Sequence, residues 1–190
     1  MKRQGRVLGI DDAPFSFNDA EVPIVGVMVR LPGYVEGVMV SQVAVDGDDA
    51  DQVLTEMLLG SRFREQIRMV MIDGTSLGGF NVVDIDRLSK ETGLPFCTVT
   101  RDVPDLPSMN AALQKHFPDW RRRLEVVERH ELIEVRTEHG PIYASIAGAS
   151  IGEMNELLRG STIQGALPEP IRLAHLIAAA MAKGESKGNP

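Results

Sequence analysis

At 190 residues, 43% of them hydrophobic, the chain can bury a substantial core as one domain, expected over residues 1–182, with 183–190 a small polar tail that frays. A formal net charge of −7 gives no general support for nucleic-acid binding, since duplex binders usually show a basic face, although bound metal can neutralise part of an acid excess. The single cysteine, Cys97, excludes an internal disulfide, no apolar run approaches membrane-span length, and the few residues before Asp11 are too short for a signal peptide, so a reducing, cytoplasmic setting without a membrane partner is expected.

The elements follow in a clear order. Val7–Asp11 reads as a first buried strand. Ile24–Arg30 and Tyr34–Asp46 read as two strands joined at the turn Leu31-Pro32-Gly33. Asp51–Leu59 suits a helix that stops at Gly60, and Met69–Asp73 is the fourth strand. Asn81 can cap a helix running through Thr92, with Gly93 as its stop, and Pro95–Thr100 is the fifth strand. Pro107–Phe117 and Asp119–Val127 are helix candidates, the second with Trp120, Leu124 and Val127 on one face. Leu132–Thr137 and Ile142–Ala147 form a further hairpin. Ser150 and Glu153 have capping-box spacing for a helix to Leu158, and a last helix opens near Pro170 and runs through Ala182. There is no internal repeat.

Three of the apolar runs finish on aspartate: Asp11, Asp46 and Asp73. One such acid alone is more often a turn or cap residue. Topology favours more than that. An antiparallel meander of the first three strands, followed by a right-handed crossover into a fourth strand parallel to the first, places all three acids at one sheet edge. Neighbouring strands lie about 4.8 Å apart, so Asp11 and Asp73 can share a divalent metal. Strand three is roughly 10 Å from strand one, beyond direct reach of Asp46. The following Gly47-Asp48-Asp49-Ala50-Asp51 can curl back, which makes Asp49 the better third ligand.

Ile72-Asp73-Gly74, a helix, then Gly93-Leu94-Pro95 and a strand resemble the central block of the endonuclease V family. Leu167-Pro168-Glu169-Pro170-Ile171-Arg172-Leu173-Ala174-His175 is similar to its C-terminal signature, and Ile146-Ala147-Gly148-Ala149-Ser150 to its strand-Gly-helix passage. Gly9-Ile10-Asp11-Asp12, Tyr34-Val35-Glu36-Gly37, Asp46-Gly47-Asp48-Asp49-Ala50, Gly79-Phe80-Asn81-Val82-Val83-Asp84 and Gly184-Glu185-Ser186 more closely resemble a related archaeal family of formerly unknown function, proposed to contain a deoxyuridine-specific endonuclease. The resemblance implies a ribonuclease H-like α/β fold: a mixed five-stranded sheet, with strands one to three as a meander and strands four and five parallel, plus flanking helices and a C-terminal hairpin and helix. It also implies Mg²⁺-dependent, or Mn²⁺-dependent, cleavage of DNA near a deaminated base, as in repair.

Carried over residue by residue, the resemblance puts Asp11, Asp73 and Asp49 on the metal and makes His175 an outer ligand or proton carrier. Asp46 and Asp51 remain alternatives to Asp49. Arg101 falls where that family has a phosphate-contacting lysine, and Arg101 and Gly74 are the expected nucleic-acid contacts. The family's His-Pro-Arg after Asp-Gly is replaced by Thr75-Ser76-Leu77-Gly78-Gly79-Phe80-Asn81, and its Pro-Tyr-Ile-Pro-Gly wedge has no counterpart. Competing readings are a non-catalytic nucleic-acid or protein-binding module and a small-molecule phosphatase. Arg121–Arg123 suits a solvated face, His116, His130 and His139 lack ligand spacing, and Asp12 and Asp84 can either join the metal cluster or cap; Asp84 is left out.

Overall fold

The computed structural model describes residues 5–188. The apolar runs become strands β1 (Arg6–Asp12), β2 (Glu21–Arg30), β3 (Tyr34–Ala44) and β4 (Met69–Asp73), with α1 (Ala50–Leu59) between the last two. A small hairpin, β5 (Ser76–Leu77) and β6 (Asn81–Val82), precedes α2 (Ile85–Thr92) and β7 (Phe96–Thr100). Helices α3 (Leu106–His116) and α4 (Trp120–Glu128), strands β8 (Ile133–Thr137) and β9 (Gly140–Ala147), and helices α5 (Ile151–Ser161) and α6 (Glu169–Lys183) complete the order.

The main sheet has seven strands rather than five, in the order β3-β2-β1-β4-β7-β9-β8. β1, β4 and β7 run parallel at its centre, and β2, β3, β8 and β9 extend it antiparallel. The expected C-terminal hairpin is part of this sheet, with β9 pairing along β7 from Phe96↔Ala147 to Thr100↔Tyr143. The physical reason lies in β7 itself. Phe96, Cys97 and Val99 are fully buried, so the strand is apolar on both faces and its free edge needs a partner for the backbone N–H and C=O groups.

Alternation along the strands separates two cores. Leu8, Ile10, Val70, Ile72 and Phe96 share one cluster with Leu54 and Leu58 of α1 and Leu88 of α2. Val7, Met69, Met71, Cys97 and Val99 face Met154 and Leu158 of α5 and Ile171 of α6. Where α6 crosses β1 the fit is tight: a Cβ on Gly9 would lie 2.2 Å from the carbonyl carbon of Pro170, so only glycine admits the helix there.

Three local expectations change. Asn81 does not cap the helix that follows it; its Oδ1 accepts instead from the N–H of Ala50, the first residue of α1, at 3.0 Å. Asn81 lies in β6 with its side chain buried, and α2 starts at Ile85 with Asp84 as N-cap, its carboxylate accepting from Arg87 N–H at 3.1 Å. In α4 the buried residue is Arg123, not an apolar stripe. Its guanidinium donates to the carbonyls of Gly47 and Phe80 at 2.7 and 2.6 Å and to Asp119 at 3.0 Å, so this arginine is no solvated face. Beyond α6, Gly184 takes a left-handed turn (φ 82°), and the segment expected as a tail folds back, with Ser186 Oγ donating to the Leu176 carbonyl at 2.7 Å. The capping box of α5 forms as expected from Ser150 and Glu153. Among the described residues, no helix is long and apolar enough to cross a membrane.

Candidate active site

Register and alternation bring the first site residues together. β1 and β4 pair in parallel as Gly9↔Met71 and Ile10↔Ile72, so the next residues along the two strands are Asp11 and Asp73. Asp11 is two residues beyond Gly9 and shares its face, the one that α6 covers. From the Pro170 contact, five helical residues rise about 7.5 Å, close to the roughly 6.6 Å between Gly9 and Asp11 along the strand. That match sets His175 over Asp11, where His175 Nδ1 and Asp11 Oδ2 are 2.8 Å apart.

Asp12 points to the opposite face, where its carboxylate accepts the N–H of Gly78 in the β5–β6 connection. Its backbone N–H donates to Asp11 Oδ1 at 2.9 Å. Asp12 lies at the same sheet edge as Asp11 but on the other face, its carboxylate engaged with the β5–β6 turn; of the two roles the sequence left open, joining the acids or capping, the carboxylate serves the turn.

Burial raises the pKa of all three carboxyls, Asp11, Asp12 and Asp73. Asp11 is only 5% exposed, and burial, followed by the charges of Asp73 and Asp12, pushes its pKa up to about 8. Burial also raises Asp73, with Asp12 adding to the shift and His175 and Arg101 opposing it. Asp12 is raised mainly by burial, against the Gly78 N–H.

Asp49 does not join them. Its carboxylate accepts from Ala44 N–H at 3.1 and 3.3 Å and from Asn81 Nδ2 at 2.6 Å, which turns it into the loop joining β3 to α1. The other candidates are engaged too: Asp46 accepts from Phe80 N–H at 2.8 Å, and Asp51 from Asp84 N–H at 2.9 Å. Arg101, in contrast, stands exposed at the end of β7 and lines a concavity with Asp73, His175 and Arg172. Gly74 follows Asp73 with φ 70° and open space where a Cβ would sit.

Buried Asp11 and half-buried Asp73, with His175 bonded to Asp11 and the exposed Arg101 nearby, form a hard carboxylate donor set. Such a set fits a hard divalent cation held by one or two carboxylates plus water. Among the described residues no group of three or more His, Cys, Asp or Glu side chains is arranged to hold a metal ion, so any ion at this edge would have Asp11 and Asp73 as its protein ligands.

A family model described as Endonuclease dU matches residues 3–182. A UPF0215 protein of Methanothermobacter thermautotrophicus is 42% identical over 190 residues, covering 100% of this chain and 93% of that protein. A solved protein of unknown function from Archaeoglobus fulgidus shares 38% identity and superposes with a TM-score of 0.82 over 93% of this chain and 98% of the other. Ciona intestinalis Endonuclease V, solved with a 24mer DNA containing an inosine followed by a ribo-adenosine, superposes with a TM-score of 0.59 at 15% identity, covering 90% of this chain and 82% of the other. The likeness to endonuclease V is one of fold. The ribonuclease H-like architecture expected from the sequence is present, with two more strands in its sheet.

Proposed function

The chain belongs to the Endonuclease dU family, and from that premise we propose that it is a divalent-metal-dependent endonuclease. Its substrate is DNA carrying a deaminated base, with deoxyuridine the expected lesion. The observation that carries the reading is the placement of buried Asp11 and half-buried Asp73 on neighbouring parallel strands, with His175 of α6 bonded to Asp11.

Asp11 and Asp73 would hold Mg²⁺ or Mn²⁺, which when bound acidifies a water molecule and offsets the charge of a phosphate. The protein's own groups do the rest. Burial keeps bulk water from the carboxylates and strengthens their interaction with any cation or proton near them. With Asp11 ionised, His175 holds a proton at Nδ1 against Asp11 Oδ2, and Nε2 is left to exchange a proton with water or a leaving oxygen. Arg101 reaches the same concavity and can pair with a phosphate oxygen, and Gly74 lets a backbone approach without a side chain in the way.

The test is direct. The purified chain with Mg²⁺ or Mn²⁺ should cut an oligonucleotide carrying one deoxyuridine, leave the unmodified sequence intact, and lose the activity in EDTA. Parallel substrates with deoxyinosine and with RNA define the specificity. A chain that leaves all of them uncut at saturating metal sinks the proposal.

A further inference from the structure

The main sheet ends in two terminal strands, β8 and β3, and the sequence treats them differently. β8 is five residues long and carries exposed Glu134 and Arg136, paired at 3.0 Å. Charges on a short edge strand discourage another strand from pairing with it. β3 is eleven residues long, about twice the usual strand, and from Gly37 to Ala44 it carries neither a charge nor a proline. Its outer edge offers a row of backbone N–H and C=O groups with nothing in that stretch to turn a partner away.

Both faces of this edge are apolar. Val38 and Val40 lie opposite Val27 and Val25, and Val27 lies opposite Gly9, so these valines share the face that α6 covers. Val25 and Val27 are fully buried there, whereas Val38 and Val40 are 46% and 51% exposed, so the cover stops one strand short. On the other face a groove runs beside β3, lined by Met39, Met57 and Phe63, with exposed Glu56 and Arg62 on its rim. Phe63 lies over Gly37, and Met57 and Met39 close on the same side of Gly26, so the apolar floor follows the strand.

We propose that the β3 edge is a homodimer interface, where a second copy of the chain pairs its own β3 antiparallel about a twofold axis at Val38–Val40 and joins the two seven-stranded sheets into one. An axis at the middle of the strand lets nearly all of Tyr34–Ala44 find a partner, and it lays the exposed valines of the two copies against each other. Eleven residues span about 37 Å, so a strip about 16 Å wide along the edge reaches the roughly 600 Å² per copy at the low end of specific interfaces. The valines on one face and the groove on the other supply that width. Charge favours the same place. Two copies of a chain of net charge −7 repel overall, and they meet best where the strand is uncharged and the groove rim carries one charge of each sign. β3 runs parallel to β1 and β4, so the reversed copy presents its Asp11 and Asp73 at the opposite end of the joint sheet, and the two candidate sites stay separate.

Light scattering on the purified full chain across a dilution series should give twice the 20.8 kDa of one chain. Val38→Lys combined with Val40→Lys sets like charges against each other across the axis, at two exposed positions, and should halve the mass while the circular dichroism spectrum stays at wild type. Glu134→Lys, a charge change at the β8 edge, should leave the mass as it is. Cross-linking locates the axis. Facing residues of an antiparallel pair have Cα atoms about 4.5–5.5 Å apart, within the reach of a disulfide, and the native Cys97 is fully buried. Among Val38→Cys, Met39→Cys and Val40→Cys, the one on the axis should give a covalent dimer on mild oxidation. A wild-type chain of monomer mass overturns the proposal, as does a dimer that survives the paired lysines or that none of the three cysteines cross-links. None of these outcomes touches the nuclease reading, which stands or falls on cleavage.

Discussion

Asp49 and Asp73 each follow an apolar strand at the same edge of the sheet, yet they have opposite surroundings. Around Asp49 every polar group has a partner. Its carboxylate takes the Ala44 N–H and the Asn81 amide, Asn81 Oδ1 takes the Ala50 N–H at 3.0 Å, and Arg123 ties Gly47 to Phe80. Around Asp73 stand Asp11 on the neighbouring strand and the charges of His175, Asp12 and Arg101, and burial leaves each of the three carboxyls above its ordinary pKa. The difference lies in the supply of donors. An aspartate at a strand end becomes structural where a loop offers it N–H groups, and stays available for chemistry where its neighbours are other acids.

The contrast can be broken by substitution. Asp73→Asn should take deoxyuridine cleavage to background while the melting temperature of the metal-free protein holds or rises, because it removes a charge that burial disfavours. A collapse of the fold would put Asp73 with Asp49 instead. Asp49→Ala should do the reverse. It strands the half-buried Ala44 N–H and leaves Asn81 Nδ2 with the Ala44 carbonyl alone, at a cost of about 1–3 kcal/mol in a chemical melt, with cleavage per folded molecule unchanged. His175→Ala should lower cleavage about 10- to 100-fold and leave oligonucleotide binding near wild type, since the histidine acts through Asp11 and on protons.

The smallest effect belongs to Asp51, beside the structural group. Burial first, then the Asp84 charge, raises its pKa to about 6 against the Asp84 N–H bond and Arg87. A folded-state pKa above the unfolded value of 3.8 means that the native state holds the proton more tightly. This contribution is complete below about pH 4 and is lost as pH rises through about 6. Urea melts from pH 4 to pH 7 should therefore show wild type losing about 1–2 kcal/mol that Asp51→Asn retains, a span discounted for the solvent that still reaches the group. Parallel pH profiles for the two proteins would remove the assignment.

The sequence carries much of this because its signals are local where the fold is regular. Met69–Asp73 is read residue for residue, and the pairing of Asp11 with Asp73 follows from strand direction and crossover handedness alone. The failures are non-local. Asn81 satisfies a loop more than thirty residues earlier, so its buried amide reads as a helix cap and Asp49 reads as free. Arg123 is invisible as a core residue because its partners are carbonyls from two distant loops. The β8–β9 hairpin is plain, but its docking on β7 depends on an edge that only the assembled sheet reveals. His175 is reached through family resemblance and not through periodicity. The one local hint was Gly9, a glycine inside a buried strand, which marks a close approach of another backbone.

That close approach has a consequence in time. Gly9 and Pro170 touch, and the Asp11–His175 pair spans 164 residues, so the site depends on a helix made long after the strands it covers. Chains emerge from the ribosome N-terminus first. Until α6 has been synthesised and has docked on β1, Asp11 and Asp73 stay hydrated, with ordinary acidity and no histidine beside them. The last helix both closes the core over β1 and completes the candidate site.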